Sequence, residues 1–100
     1  MEKRRAHHPL TKVKQLIKDE RVAFTLTAVA GGAAMGFDTH EMLEVVFALT
    51  NRNFYKSMTS HADHTVWHDV YHADTRRGRV YLKLTITENL LIISFKEKDE

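Results

Sequence analysis

Tyrosines and lysines recur together in the second half of the chain, in Phe54-Tyr55-Lys56, in Tyr81-Leu82-Lys83 and at Lys96 after Phe95. An amine carries fixed positive charge, and a phenol offers a stacking ring and a hydroxyl. The combination suits an anionic, aromatic ligand such as single-stranded nucleic acid. The competing reading is an ordinary solvated sheet face, which the same residues also make. Four histidines, His61, His64, His68 and His72, run through the same region. On a helix their spacing would align metal ligands, but on a strand and a loop it scatters them, and neither cysteine nor an HExxH pattern accompanies them. The expectation is no metal and no cofactor. The sequence also has no Walker, Rossmann or GxSxG pattern, so NTPase, dehydrogenase and serine-hydrolase chemistry lack support.

The elements that must position these residues belong to one domain, 1–100, because 100 residues leave room for a single core. With 15 Lys and Arg against 13 Asp and Glu the net charge is only +2. The basic residues nevertheless cluster, Lys3, Arg4, Arg5, Lys12, Lys14 and Lys18 at the start and Arg76, Arg77 and Arg79 later, which favours anionic partners. The absence of cysteine fits a reducing compartment, and no apolar run approaches the ~20 residues of a membrane span, so a soluble, cytoplasmic protein is expected.

Apolar residues at Leu10, Val13, Leu16 and Ile17 predict an amphipathic helix from Thr11 to about Glu20, entered through Pro9. Ala28 to Met35 predicts a weak helix, capped by Thr25 or Thr27, since Gly31 and Gly32 each cost roughly 1 kcal/mol against alanine. Asp38 with Glu41 has the form of a capping box and opens a third helix, which buries Met42, Leu43, Val46 and Phe47 and runs to about Leu49. After Asn51 the period falls to two, and Phe54–Thr59, Val66–His72, Arg79–Thr87 and Leu90–Lys96 read as strands of an antiparallel meander. The fold class is therefore α+β, with N-terminal helices packed on one face of a C-terminal antiparallel sheet and the other face open.

A two-residue turn at Glu88-Asn89 would set Leu82 opposite Phe95, Leu84 opposite Ile93 and Ile86 opposite Leu91, an apolar core face. The other face would pair Tyr81 with Lys96 and Lys83 with Ser94. A six-residue loop from Ala73 to Gly78 would bring Val70 opposite Tyr81 and His68 opposite Lys83.

The opening Met1-Glu2-Lys3-Arg4, the Pro9-Leu10 followed by Val13-Lys14, the stretch NFYKSMTSHADHTVWHDVY from Asn53 to Tyr71, VYLKLTIT from Val80 to Thr87 and LLIISFKEK from Leu90 to Lys98 resemble the motility quorum-sensing regulator family of toxins. The likeness covers essentially the whole chain. It implies a type II toxin with a RelE-like, microbial-ribonuclease α+β fold that cuts single-stranded mRNA near GCU-type sites without the ribosome. It also implies a cognate antitoxin with a zinc-binding N-terminal domain and a helix-turn-helix C-terminal domain. DNA binding by the toxin alone and contact with membranes are not expected. The family's proposed catalytic residues fall on Lys56, His68, Tyr81 and Lys96; position 68, commonly glutamine in the family, is histidine here. Tyr55, Met58 and Lys83 are expected to contact substrate. The reaction would be attack of a ribose 2′-hydroxyl on the adjacent phosphate. Lys56 and Lys96 would stabilise charge and Tyr81 would orient the phosphate or donate a proton, while His68 either acts as the base or positions the RNA. A non-catalytic RNA-binding module and a regulatory protein whose basic face docks an acidic partner are the rival readings.

Overall fold

Pro9 holds the extended backbone that leads into the first helix, α1 (Leu10–Lys18), whose Val13 and Leu16 are buried. In the computed structural model, which describes residues 1–99, three helices precede a long sheet. The second helix, α2 (Leu26–Ala34), forms despite its two glycines. Thr25 caps it by accepting from the Ala28 amide at 3.0 Å and donates its own hydroxyl to the Ile93 carbonyl at 2.7 Å. A Cβ at Gly31 would overlap the Phe95 carbonyl oxygen, and one at Gly32 would overlap the Met42 sulfur. Gly31 therefore lets α2 lie directly on the sheet backbone, and Gly32 leaves room for the Met42 side chain. The chain leaves this helix through Gly36, at φ +89°. The capping box holds: Glu41 N donates to Asp38 Oδ1 at 2.8 Å and Asp38 N to Glu41 Oε1 at 3.0 Å, opening α3 (Thr39–Phe47).

Four long strands follow a short 3-10 turn: β3 (Phe54–Thr59), β4 (Trp67–Thr75), β5 (Gly78–Ile86) and β6 (Leu90–Glu97). Two short strands that periodicity does not reveal complete the sheet, β1 (Glu2–Lys3) and β2 (Val22–Phe24). Its order is β1-β3-β4-β5-β6-β2, antiparallel throughout except that β2 runs parallel to β6. The sheet is thus mixed and six-stranded, wider than the expected four-stranded meander. Strands of two and three residues are too short to show an alternation.

Two expected registers are corrected. Tyr81 does face Lys96 and Lys83 does face Ser94, but a bulge then makes Leu84 face Ile92 and Ile86 face Leu90. Leu90 and Ile92, with Phe95, are the buried residues of β6, in place of the expected Leu91 and Ile93. The bulge adds one residue to one strand, so both stretches of β6 keep an apolar face toward the helices. Between β4 and β5 the turn is the two residues Arg76-Arg77, followed by Gly78 at φ +114°, so Tyr81 faces His72 and Lys83 faces Val70. The expected longer loop would instead set Val70 opposite Tyr81 and His68 opposite Lys83. Both arrangements keep His68, Val70 and His72 on one face, because they differ by two residues.

The core lies between helices and sheet, with Val13, Leu16, Met42 and Val46 against Tyr71, Leu82, Leu84, Ile92 and Phe95. Among the described residues no helix is long and apolar enough to cross a membrane.

Candidate active site

The face of the sheet away from the helices gathers the site. Alternation along β3 sets Lys56 and Met58 there, opposite Val70 and His68 of β4, while Ser57 and Asp69 turn the other way. On β5 and β6 the same face carries Tyr81, Lys83, Ser94 and Lys96. The Lys96 amine lies 5.2 Å from the Tyr81 ring centre. This face is not bare: Val70, at its middle, has no exposed surface.

Tyr55 joins this face through a second bulge. Phe54 faces Tyr71 and packs on the core edge, whereas Lys56 faces Val70, so one residue of β3 is supernumerary between them. Bulges re-aim side chains in this way. The Tyr55 ring stacks on His72 with centres 4.5 Å apart and planes 23° apart, and His72 in turn lies 5.9 Å from Tyr81. Nothing in the sequence sets His72 apart from the other three histidines of the region; its place here follows from the tight Arg76-Arg77 turn, for which the Thr-Arg-Arg-Gly run is the available signal.

The first residues of the chain also reach the site. β1 pairs with β3, placing Glu2 beside Met58, and Lys56 Nζ donates to Glu2 Oε2 at 2.8 Å. No pattern in the sequence signals this contact. The leading segment is anchored by Asp69, which is wholly buried and accepts from His7 N at 3.0 Å, His8 N at 2.8 Å and Ser57 Oγ at 2.7 Å. A buried carboxylate needs such donors, since removing it from water without them is costly. His7 stacks on Trp67, and Lys3 Nζ sits 4.1 Å above the same indole.

The electrostatics set protonation states. The hydrogen bond to Glu2 holds the Lys56 amine above its usual range, against burial, and the Glu2 carboxyl is correspondingly held down by Lys56. Burial pushes the Tyr81 phenol up although Lys56 opposes it, so its proton stays on at neutral pH. Lys83 is lowered by burial and then by Lys96. His68 is lowered by burial first, then by Lys83 and His8, which keeps its imidazole neutral. Burial, with Lys98 and Arg79, does the same to His72.

All seven sequence-selected residues, Tyr55, Lys56, Met58, His68, Tyr81, Lys83 and Lys96, therefore share the open face. They are not equidistant. His68 lies four residues from His72 along β4, about 13 Å at the rise of a strand, so Tyr81 and His68 stand toward opposite ends of the cluster with Lys83 between. His61 and His64 stay in the connection before β4. Among the described residues no three His, Asp or Glu side chains come together around one point as metal ligands would.

An array of fixed amines, a protonated phenol and a neutral imidazole can bind a phosphate, stabilise added negative charge and shuttle protons. Two comparisons agree with that inventory. The chain is 44% identical over 98 residues, 98% of its own length and 100% of the relative's, to the mRNA interferase toxin MqsR of Escherichia coli (strain K12). The profile of the family described as motility quorum-sensing regulator, toxin of MqsA, matches residues 5–97, and the chain belongs to that family.

Proposed function

We propose that this chain is an endoribonuclease toxin, an mRNA interferase, that cuts single-stranded mRNA in the cytoplasm at GCU-like sites without the ribosome and is neutralised by an MqsA-like antitoxin. The observation that carries the reading is the convergence of Lys56, Tyr81 and Lys96 on one sheet face, with the Lys96 amine 5.2 Å from the Tyr81 ring, in a relative of an mRNA interferase toxin.

The reaction is a transesterification. A ribose 2′-oxygen attacks the adjacent phosphorus and its proton passes to a base, while the 5′-oxygen leaves and takes up a proton from an acid. The products are a 2′,3′-cyclic phosphate and a 5′-hydroxyl. In-line displacement puts base and acid on opposite sides of the phosphorus. His68, kept neutral, serves as the base, and Tyr81, kept protonated, as the acid at the other end of the cluster. Lys83 lies between them in the sheet, Lys56 stands across Val70 in the same row as Lys83, and Lys96 stands beside Tyr81, so amines neutralise the charge that grows on the phosphorane oxygens. Met58 lies beside His68 and Tyr55 on His72, where both contact the nucleotide. Because amines carry the stabilising charge, no metal ion is needed.

The test is incubation of the purified protein with a labelled single-stranded RNA in excess EDTA. Cleavage to a cyclic-phosphate end is expected, and a 2′-deoxy nucleotide at the cut position should block it. RNA that is bound and never cut would leave a non-catalytic RNA-binding module. Cleavage lost on chelation and restored by a divalent ion would overturn the assignment of roles.

A further inference from the structure

We propose that His72 is a positioning residue of the nuclease, holding Tyr55 as the outer rung of an aromatic ladder on which one RNA base stacks beside the scissile phosphate. The inference rests on the ribonuclease reading and adds to it the way the base is held.

Three rings from three adjacent strand positions form the ladder. Tyr81 faces His72 across the β4–β5 pair, and Tyr55 reaches His72 from β3 because the bulge turns it onto this face. The outer pair is near-parallel, with centres 4.5 Å and planes 23° apart, and the inner pair is tilted at 5.9 Å. Tyr55 remains 44% exposed, unusual for a large ring already stacked on one neighbour. Its surroundings are cationic: Lys56 Nζ lies 5.4 Å from the Tyr55 ring centre and Lys96 Nζ 5.2 Å from that of Tyr81. An exposed ring bordered by amines is the arrangement that takes a base together with its phosphate.

The middle rung has a cost of its own. His72 Nε2 is buried and has no hydrogen-bond partner among the described residues, while a tether outside the ring, Asn53 Nδ2 donating to the His72 carbonyl at 3.1 Å, fixes the backbone. A side chain kept only for packing would forgo that polar nitrogen, since a buried unsatisfied group is unfavourable. A flat ring of five atoms fits between two phenols, and its neutral form adds no charge beside the lysines.

The test uses the full chain and a short RNA made uncleavable by a 2′-deoxy nucleotide at the cut site, so that binding is read separately from cleavage. H72A should weaken binding about tenfold, with KM on cleavable RNA rising more than kcat falls, and H72F, which keeps a flat ring, should recover both. The pH–rate profile of H72F should overlay that of the wild type. Tyr55→Ala, at an exposed position, should weaken binding by about ten- to a hundredfold. An RNA abasic at the stacked nucleotide should lose as much, and variant and abasic RNA combined should lose no more than either alone. Additive losses from Tyr55→Ala and every abasic position would overturn the ladder, as would an H72F enzyme that binds normally but loses one limb of its pH profile. The ribonuclease reading fails separately, by absence of cut product from wild-type protein.

Discussion

Replacing Glu2 with glutamine should make the enzyme bind RNA more tightly. Glu2 reaches Lys56 at 2.8 Å, and the two side chains are 58% and 22% exposed, so the carboxylate occupies the amine to which a substrate phosphate would bind. For single strands, log K falls with log salt by roughly 0.7 for each phosphate neutralised, because each contact releases condensed counterions. An amine already matched by a carboxylate gains little from a phosphate. In Glu2→Gln that amine is free, and the slope should steepen by about 0.7. Taking affinities as equal near 1 M salt, the variant should bind roughly fourfold more tightly at 0.15 M, and its advantage should shrink about 2.6-fold between 50 and 200 mM. The melting temperature should hardly move, because exposed ion pairs contribute little to stability. Fluorescence anisotropy of an uncleavable RNA, titrated between 50 and 500 mM potassium chloride, measures both quantities. Parallel salt slopes would mean that no phosphate reaches Lys56. Weaker binding by the variant would mean that Glu2 orients the amine and does not compete for it, and either result refutes the argument.

Lys96→Ala and Tyr81→Phe should remove most cleavage while leaving the melting temperature nearly unchanged, whereas Leu84→Ala, in the core, should cost about 2 to 5 kcal/mol in chemical denaturation. If Lys96→Ala unfolds the protein instead, the assignment of sheet faces is wrong. The single-turnover rate should rise with pH through a range below the ordinary histidine value of 6.5, because burial and Lys83 lower His68, and then level off. His68→Gln should lose that limb and most of the rate; coincident wild-type and variant profiles would reduce His68 to positioning the RNA. Asp69→Ala leaves the buried ends of the His7 and His8 amides without their acceptor and leaves the Ser57 hydroxyl only its longer bond, 3.3 Å to the His68 carbonyl, so it should cost about 3 kcal/mol or more, a fall of roughly 12 °C or more in a thermal melt; a smaller change would show that the leading segment is held by other contacts.

What the sequence disclosed about the site depended on parity more than on register. Alternation together with the expected turns places His68, Tyr81 and Lys96 on one face, and that assignment survives errors of two residues, which is why the wrong length for the Arg76-Arg77 turn leaves the site intact; Lys56 enters the site from the family resemblance and not from periodicity. The same error hides His72, because which residue stands opposite Tyr81 depends on the register itself. Bulges are invisible to a period-two pattern, so Tyr55 is expected at the substrate without its route to the open face, and Leu91 and Ile93 are expected in a core that Leu90 and Ile92 fill. The helices are legible where capping chemistry marks them, at Thr25 and Asp38. Local propensity makes α2 weak because it cannot register the carbonyl on β6 against which Gly31 packs. Glu2 is out of reach of any local rule: its partner is 54 positions away.

Between the β5–β6 turn and Lys96, the bulge leaves β6 with one residue more than its pairing requires. The slack has a consequence for how the gene can change. A deletion of Ile93 would straighten the ladder and still deliver Lys96 opposite Tyr81, since the pairs on the turn side would simply continue in step. Loss of Phe95 would instead either swing the lysine toward the helices or, if the bulge straightened to absorb it, seat Ser94 in the core place of the phenylalanine. The strand therefore divides into a stretch that tolerates a change of length and a stretch whose length is fixed by chemistry, and the dividing point lies at the bulge.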